Sequence, residues 1–558
     1  MKWDYIRWKV AWVLTISLLL IVAIRPKQAT AQENEFEIND GVLVKYNGTS
    51  EYVRIPEYVT SIGKNAFKEC SVVKEVVIPD SVTSIEDRAF ISCIGLTKVI
   101  LPDSVTKLGK EVFNGCIGLT EVTLPSGIKR VPDGLFLGCK SLHNIELPLG
   151  ITTIGAFAFS NCTSLDDVDM PKTLTTIEEY AFQGCGFTEF SMPQSVTTVG
   201  GKILYGTPWL FEKIKTDPLV IVNDIVIDAS YCKGKVRIPQ NVTAIADQAF
   251  AKSSITSISM EDQVTSIGKE AFSQCKKLTA AKLSNQLERL EEKTFYKCVK
   301  LNRINFPKNL KSIGDFCFES CKSLSKTITF PNGLTTLGAK CFVNCSKVTE
   351  FVFPKTLTEI KTYPFKGTAW DAKQDGEFVI INQILCRIGN YNLQEHAGCM
   401  VLPNTIKKIS PYVFYKNRMT SIVIPKSVNK IGHHAFSKNI FLEKVTMSAS
   451  TILEEDVFKD ANENLKIFSV NNSKAKKYAL SNGIKFETIG FEQTQYSMSL
   501  DKPLRLYLNC KANCAWSSGD PNIATVNAKG VITAKTQGTV IITAKLYGRR
   551  YHCTVTIE

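Results

Sequence analysis

Leu96-Thr97-Lys98-Val99-Ile100-Leu101-Pro102-Asp103-Ser104-Val105-Thr106-Lys107-Leu108-Gly109-Lys110-Glu111-Val112-Phe113-Asn114-Gly115-Cys116 holds one whole structural repeat. Residues 96–101 alternate like a strand, and Pro102 ends the pairing because it has no N–H to donate. Val105 to Leu108 is a second short strand, closed by Gly109. Val112-Phe113-x-x-Cys116 then predicts one turn of helix or 3₁₀ helix with small, aromatic and thiol side chains facing inward. The next strand begins at Leu119. Each such coil leaves apolar edges open above and below, so it cannot fold alone and must stack on copies of itself.

The copies are present. Cys70, Cys93, Cys116, Cys139, Cys162 and Cys185 lie 23 residues apart, and Cys275, Cys298, Cys321 and Cys345 resume the spacing. Phenylalanine keeps the same beat at 67, 90, 113, 136, 159 and 182, at 250, 272, 295, 318, 342 and 365, and at 414, 436 and 458, with Leu204 in one such place. A period of 20–29 residues with regular leucines marks a leucine-rich solenoid. About sixteen repeats are expected in three blocks, near 36–205, 206–365 and 366–465. Each block opens on a hairpin signal, two apolar strands around a polar pair led by Asn: Phe36 to Val44, Leu219 to Ile227 and Phe378 to Cys386. These modules are expected to replace a coil without breaking the stack. Residues 466–489 read as the solenoid's cap, with a short helix from Ser473 as N-cap to Gly483 just past its end.

Ile78 to Cys93 carries Ile/Leu-Pro-x-x-Val-Thr-x-Ile-Gly-x-x-Ala-Phe-x-x-Cys, which recurs over residues 36–489. It resembles the BspA-type leucine-rich-repeat family of bacterial surface proteins. That resemblance implies a secreted or surface protein that binds host or microbial partners, some members being adhesins. Residues 490–558 are several short alternating strands with a core tryptophan, Trp516, which suits a β-sandwich. Trp516-Ser517-Ser518-Gly519-Asp520-Pro521-Asn522-Ile523-Ala524-Thr525-Val526, with Gly530 to Ala534 and Gly538 to Ala544, is similar to the group 2 bacterial immunoglobulin-like (Big) domain. The fold expected is thus a β-rich repeat solenoid with short helical or 3₁₀ turns, followed by a β-sandwich.

Lys2, Arg7 and Lys9 precede the apolar stretch Val10 to Ile24, and Ala29-Thr30-Ala31 fits a small-x-small cleavage site. Fifteen helical residues reach only ~22 Å, short of a ~30 Å hydrocarbon core. Residues 1–31 therefore read as a signal peptide, with the mature chain starting at Gln32, secreted or displayed on the cell and without a membrane span after cleavage. Arg25 and Lys27 keep an uncleaved anchor open. The chain carries +14, of which residues 1–31 hold five cations and one anion. The rest is spread without a polybasic run or a nucleic-acid-binding motif, so no nucleic acid is expected.

The evenly spaced cysteines occupy one inward position per coil, where a thiol serves as a small hydrophobe. Export argues for disulfides instead. Cys317 and Cys341 pair at i, i+4 with Cys321 and Cys345, yet stand where other coils have Ala66, Ala89 or Ala271. Cys514 and Cys553 read either as a bridge or as two buried thiols. His433-His434 diverge, as neighbours do, and read as solvated surface rather than a metal site. Asp166-Asp167-x-Asp169 lacks the turn glycine and closing glutamate of a calcium loop. No nucleophile elbow, HExxH or phosphate loop occurs, so neither an enzyme, a cofactor nor a metal is expected.

Alternation places the residues flanking each Val-type strand position away from the core, on the sheet face where such solenoids bind. In the first block these are Glu75/Val77, Lys98/Ile100, Glu121/Thr123, Asn144/Glu146, Asp167/Asp169 and Glu189/Ser191. Six acids, Glu75, Glu121, Glu146, Asp167, Asp169 and Glu189, stand against one lysine. Later coils add Ala280/Lys282, Arg303/Asn305, Glu350/Val352 and Lys444/Thr446. The function expected is binding of an extracellular protein or cell-surface macromolecule by a monomeric chain. The alternative is a structural envelope component with the solenoid as spacer and the last domain on the cell wall.

Overall fold

In the computed structural model, which describes residues 35–389, 398–510 and 512–558, most coils contribute one rung to each of two parallel ladders. The signal segment and the start at Gln32 lie outside the described residues. Rungs of three residues, Tyr52–Arg54, Glu75–Val77, Lys98–Ile100 and Glu121–Thr123, form one sheet in chain order. Rungs of two residues, Ser61–Ile62, Ser84–Ile85 and Lys107–Leu108, form the other. The two match the strands read from Leu96 to Gly109. Gly109 is required at its place, because a Cβ there would sit 2.5 Å from the Asp87 nitrogen.

The third segment of the coil differs from its expectation. It is not a helical or 3₁₀ turn. A left-handed residue stands two places before and two places after each core phenylalanine: Arg88 (φ 59°) and Ser92 (φ 59°) about Phe90, Lys293 (φ 53°) and Lys297 (φ 56°) about Phe295. Alternate N–H groups then point in different directions. Those of Arg88, Phe90 and Ser92 donate to Lys110, Val112 and Asn114 of the next coil. Those of Ala89, Ile91 and Cys93 close turns onto Glu86, Arg88 and Phe90. A 3₁₀ turn would consume every N–H internally and leave the next coil unpaired.

The core is a file of rings. Phe67, Phe90, Phe113, Phe136, Phe159 and Phe182 are fully buried. Successive centroids lie 4.7–5.7 Å apart, near parallel. Phe295, Phe318 and Phe342 repeat this at 5.1–5.4 Å, and Phe414, Phe436 and Phe458 at 4.8–5.3 Å.

The described residues divide into two units. The first runs to Lys233 and includes Pro239–Ser254 and Ile267–Ala271; the second comprises Gly234–Ile238, Ile255–Ser266 and Phe272–Glu558. The first unit holds two hairpins, Phe36–Asn39 with Val42–Tyr46 and Val220–Val222 with Ile225–Asp228; the second unit holds Phe378–Ile381 with Ile384–Ile388. Their turns take two left-handed residues, Asn223-Asp224 and Asn382-Gln383, but Asp40-Gly41 in the first, one place beyond the Asn39-led pair read from sequence. Asn382 Nδ2 donates to the carbonyls of Pro354 (2.7 Å) and Leu357 (3.1 Å), fixing the module to the preceding coil. The two-residue sheet ending at Glu359–Ile360 stops at the third module and Phe378–Ile381 starts a new one, while Lys408 Nζ and Ser410 Oγ bond the carbonyls of Thr358 and Ile360 across it.

After the last coil of the second unit comes the helix that the sequence indicates, Lys474–Ser481, its N-cap Ser473 accepting from the Lys476 N–H, and Gly483 left-handed beyond it. Strands Gln495–Met498, Arg549–Ile557, Gly538–Leu546 and Ala515–Ser518 then make one sheet, and Leu504–Arg505, Val531–Ala534 and Ala524–Val526 another. Ala524, Ile532, Ile542 and Val555, from both sheets, share a core. Trp516 is half-buried and borders this core and a second cluster built from Phe468, Ile489, Leu508 and Leu546.

Phe136→Ala is expected to cost ~3–5 kcal/mol, because the cavity lies inside a close-packed file. Hydrogen exchange should show protection falling in the adjoining coils as well, since each coil is stabilised only by its neighbours. An unchanged urea midpoint would mean that the inward face is misassigned.

Candidate functional site

The sheet face is set by the three-residue rungs. Val76, Val99, Ile145 and Val168 point into the core, and the residues on either side point out. Register makes two columns. One runs Tyr52, Glu75, Lys98, Glu121, and the other Arg54, Val77, Ile100, Thr123, each a neighbour of the next. Asn144 continues beside Asp167, and Glu146 beside Asp169. Glu189 and Ser191 are exposed in a stretch that forms no strand.

The six acids are not equivalent. Lys98 lies between Glu75 and Glu121 and its Nζ is 2.8 Å from Glu121 Oε1. Lys74 is likewise paired to Glu51 at 2.8 Å. Among the described residues, no ion pair reaches Glu146, Asp167, Asp169 or Glu189. Glu75 has no ion pair among the described residues but adjoins Lys98, so the unneutralised charge lies mainly on the later coils of the first block, where Glu146 and Asp169 are adjacent across the ladder. In the second unit Ala280 lies beside Arg303, and Glu350 and Val352 lie beside Thr327 and Thr329.

Thr446 corrects one expectation. It lies on the outward side of its strand, yet it is 1% exposed. The hairpin between Gly538–Leu546 and Arg549–Ile557 covers it. At the hairpin's tip the Tyr547 hydroxyl donates to the carbonyls of Ile424 (2.8 Å) and Thr446 (3.2 Å). Burial pushes the Tyr547 phenol well above its ordinary range, which keeps it a donor. The column Val423, Thr446, Phe468 is therefore occupied by the chain's own C-terminal segment, and Lys444 remains only partly exposed.

The thiols do more than fill space, which sequence reasoning missed. Cys93 Sγ donates to the Phe67 carbonyl at 2.9 Å, one coil back, and Cys116, Cys139, Cys162 and Cys185 repeat the contact at 3.1–3.2 Å. Cys298, Cys321 and Cys345 do so at 3.0–3.1 Å. In some coils without cysteine another donor stands there, although the Asn417 amide nitrogen finds no partner and Ala461 offers none. Asn439 Nδ2 bonds the carbonyls of Phe414 (2.8 Å) and Phe436 (2.7 Å), and the hydroxyls of Thr207 and Thr368 bond Leu204 and Phe365. The signal was available: Asn, Ser and Thr replace Cys at this position, which an apolar filler does not explain. Cys317 and Cys341 are buried in the alanine position, and Cys514 Sγ bonds the Ala512 carbonyl without bridging Cys553.

His433 and His434 are half-buried rather than solvated. Their rings lie 5.5 and 5.0 Å from that of Tyr412, and His434 Nδ1 is 2.9 Å from Ser437 Oγ. Among the described residues no three or more His, Cys, Asp or Glu side chains converge as metal ligands, and no helix is long and apolar enough to cross a membrane.

Residues 38–140, 83–210, 231–370 and 378–500 match the model of the BspA type leucine rich repeat region, in six copies. A leucine rich cell surface protein of Faecalibacterium prausnitzii is 27% identical over 57% of this chain and 92% of its own, with a TM-score of 0.35. A leucine-rich repeat protein of Bacteroides ovatus is 25% identical over 60% of this chain and 90% of its own, with a TM-score of 0.30. No curated protein matches the chain.

Two outcomes are expected of the donor position. Asn439→Ala removes a buried donor from the Phe436 carbonyl and from the Phe414 carbonyl, which keeps only the Asn417 N–H, and should cost ~1–3 kcal/mol by urea unfolding, and Asn439→Cys should restore part of it. The thiols also set an alkaline limit. Burial raises Cys162 from an ordinary 9.0 to about 12. The folded chain thus keeps its proton where the unfolded chain loses it, so stability holds below pH 9 and falls as pH rises toward 12. The urea midpoint should drop across this window, and less so in Cys162→Ser, whose hydroxyl does not titrate.

Proposed function

The chain belongs to the BspA type leucine-rich repeat family, and from that premise we propose that it is an exported surface protein that holds a macromolecular partner on its sheet face and catalyses no reaction. One observation carries the reading: Glu146, Asp167 and Asp169 stand on adjacent exposed rungs, with Glu189 exposed on the next coil and, among the described residues, no ion pair to any of the four, in a chain of net charge +14. Like charges held close destabilise the free chain slightly and favour a partner that supplies cations. The partner is a protein with a basic patch. Residues 490–558 act as a Big-type immunoglobulin-like sandwich seated on the last coils, and residues 1–31 as the cleaved signal that delivers the chain outside the cell. Cofactors and metals play no part.

The test begins with a pull-down from host and microbial extracts using residues 32–558, at low salt. Glu146→Ser, Asp167→Ser and Asp169→Ser together should weaken the captured partner roughly tenfold, chiefly through a slower on-rate. The salt dependence should flatten, because exposed charges are screened over ~8 Å at physiological ionic strength. Unchanged affinity and unchanged salt slope, with the fold intact by circular dichroism, would remove the acidic stripe from the function.

A further inference from the structure

A second surface of the first unit gathers aromatic rings away from the sheet face. The left-handed place two residues before each core ring is filled in successive coils by Gly134, Phe157, Tyr180 and Lys202. Glycine adopts that backbone freely and bulky residues do not. Phe157 and Tyr180 adopt it nonetheless, and their rings stack at 5.0 Å and 10° on the outside of the coil.

Two grooves extend from this stack. One, of about 520 Å³, is lined by Tyr180, Gln183, Lys202, Tyr205, Tyr231 and Gln248. The other, of about 460 Å³, shares Tyr205 and Tyr231 and adds Phe211 on the helix Pro208–Thr216. Tyr205, Tyr231 and Phe211 are 51%, 59% and 63% exposed and line adjoining grooves, and it is such clustering of exposed rings that marks a binding surface. The charge at the floor is already spent within the protein. Lys202 Nζ lies 2.7 Å from Asp228 Oδ2, and Asp228 Oδ1 accepts from the Ser230 N–H and hydroxyl. What remains for a ligand is flat apolar rings edged by phenol hydroxyls, the amides of Gln183 and Gln248, and one exposed amine, Lys252, at the rim.

That lining selects a chemistry. An anionic ligand would call for several converging cations where the grooves offer one, Lys252 at the rim, and an acyl chain for a deep apolar channel without amides. A pyranose ring fits: its C–H face lies on an aromatic face, and its hydroxyls reach amide and phenol edges. Two grooves meeting at one Tyr205–Tyr231 wall suit several linked sugars rather than one. We infer that this surface binds a neutral oligosaccharide of hexose or N-acetylhexosamine units, stacked on Tyr205 and Tyr231. The site is independent of the acidic sheet face.

The experiment is titration calorimetry with the intact chain, supported by saturation-transfer NMR. The probes are neutral tetra- to hexasaccharides of glucose, galactose, mannose and N-acetylglucosamine, with a heparin hexasaccharide and a proline-rich peptide beside them. At least one neutral glycan should bind, with little salt dependence. Tyr205→Ala and Tyr231→Ala should each weaken it about tenfold or more, as loss of a stacked ring does. Tyr205→Phe should retain most of the binding, and the Glu146, Asp167 and Asp169 triple variant all of it. Both tyrosines are exposed, so the urea midpoint should not move and any lost binding is read as lost contact. Absence of neutral-glycan binding at concentrations on the order of 1 mM, binding indifferent to both alanine variants, or groove-dependent binding of only the peptide or only heparin would each overturn the inference.

Discussion

Every coil must give its backbone N–H groups to the coil beside it, because a core file of phenylalanine rings leaves no room for water to satisfy them. That constraint shapes each part of the repeat. The two short strands pass their ladders onward, and the segment around the ring does the same by holding left-handed residues such as Arg88 and Ser92. The thiol adds a side-chain donor to the Phe carbonyl of the previous coil. Aromatic stacking and hydrogen bonding thus follow one axis and one spacing.

Much of this was legible. The ring and thiol spacing gave the coil, alternation from Leu96 to Leu101 gave the rung and its outward residues, and Ser473 with Gly483 bounded the last helix. The turn conformation was not legible. Glycine and asparagine fill only some of the left-handed places; lysine, glutamate, arginine and tyrosine fill many of the others, and none of these advertises positive φ as glycine does, the cost being borne by hydrogen bonds to the next coil. The Tyr547 contact was equally hidden, since it joins residues 101 and 123 positions apart. The neutralising of Glu121 by Lys98 needed the register between coils, and the paired grooves needed the hairpin module that brings Tyr231 beside Tyr205.

The C-terminal segment changes what the second unit can offer. Val423, Thr446 and Phe468 would otherwise present a mixed apolar column on the final coils. With Tyr547 seated there, an exposed sheet is replaced by an internal contact, one way in which a repeat stack avoids pairing with another chain. The free sheet face of the first block and the covered one of the third therefore differ in kind, although both are built by the same repeat.

The ladder also has a mechanical meaning. Rungs of two and three residues, pulled along the chain, are loaded a coil at a time rather than together, because each coil bonds only to its neighbours. A coil that lets go frees the 23 residues between Cys93 and Cys116, a length of chain of roughly 80 Å when drawn straight. A surface protein tethered at one end and gripped at the other would then yield in small equal steps and re-form behind each one, working as an extensible link rather than a rigid post.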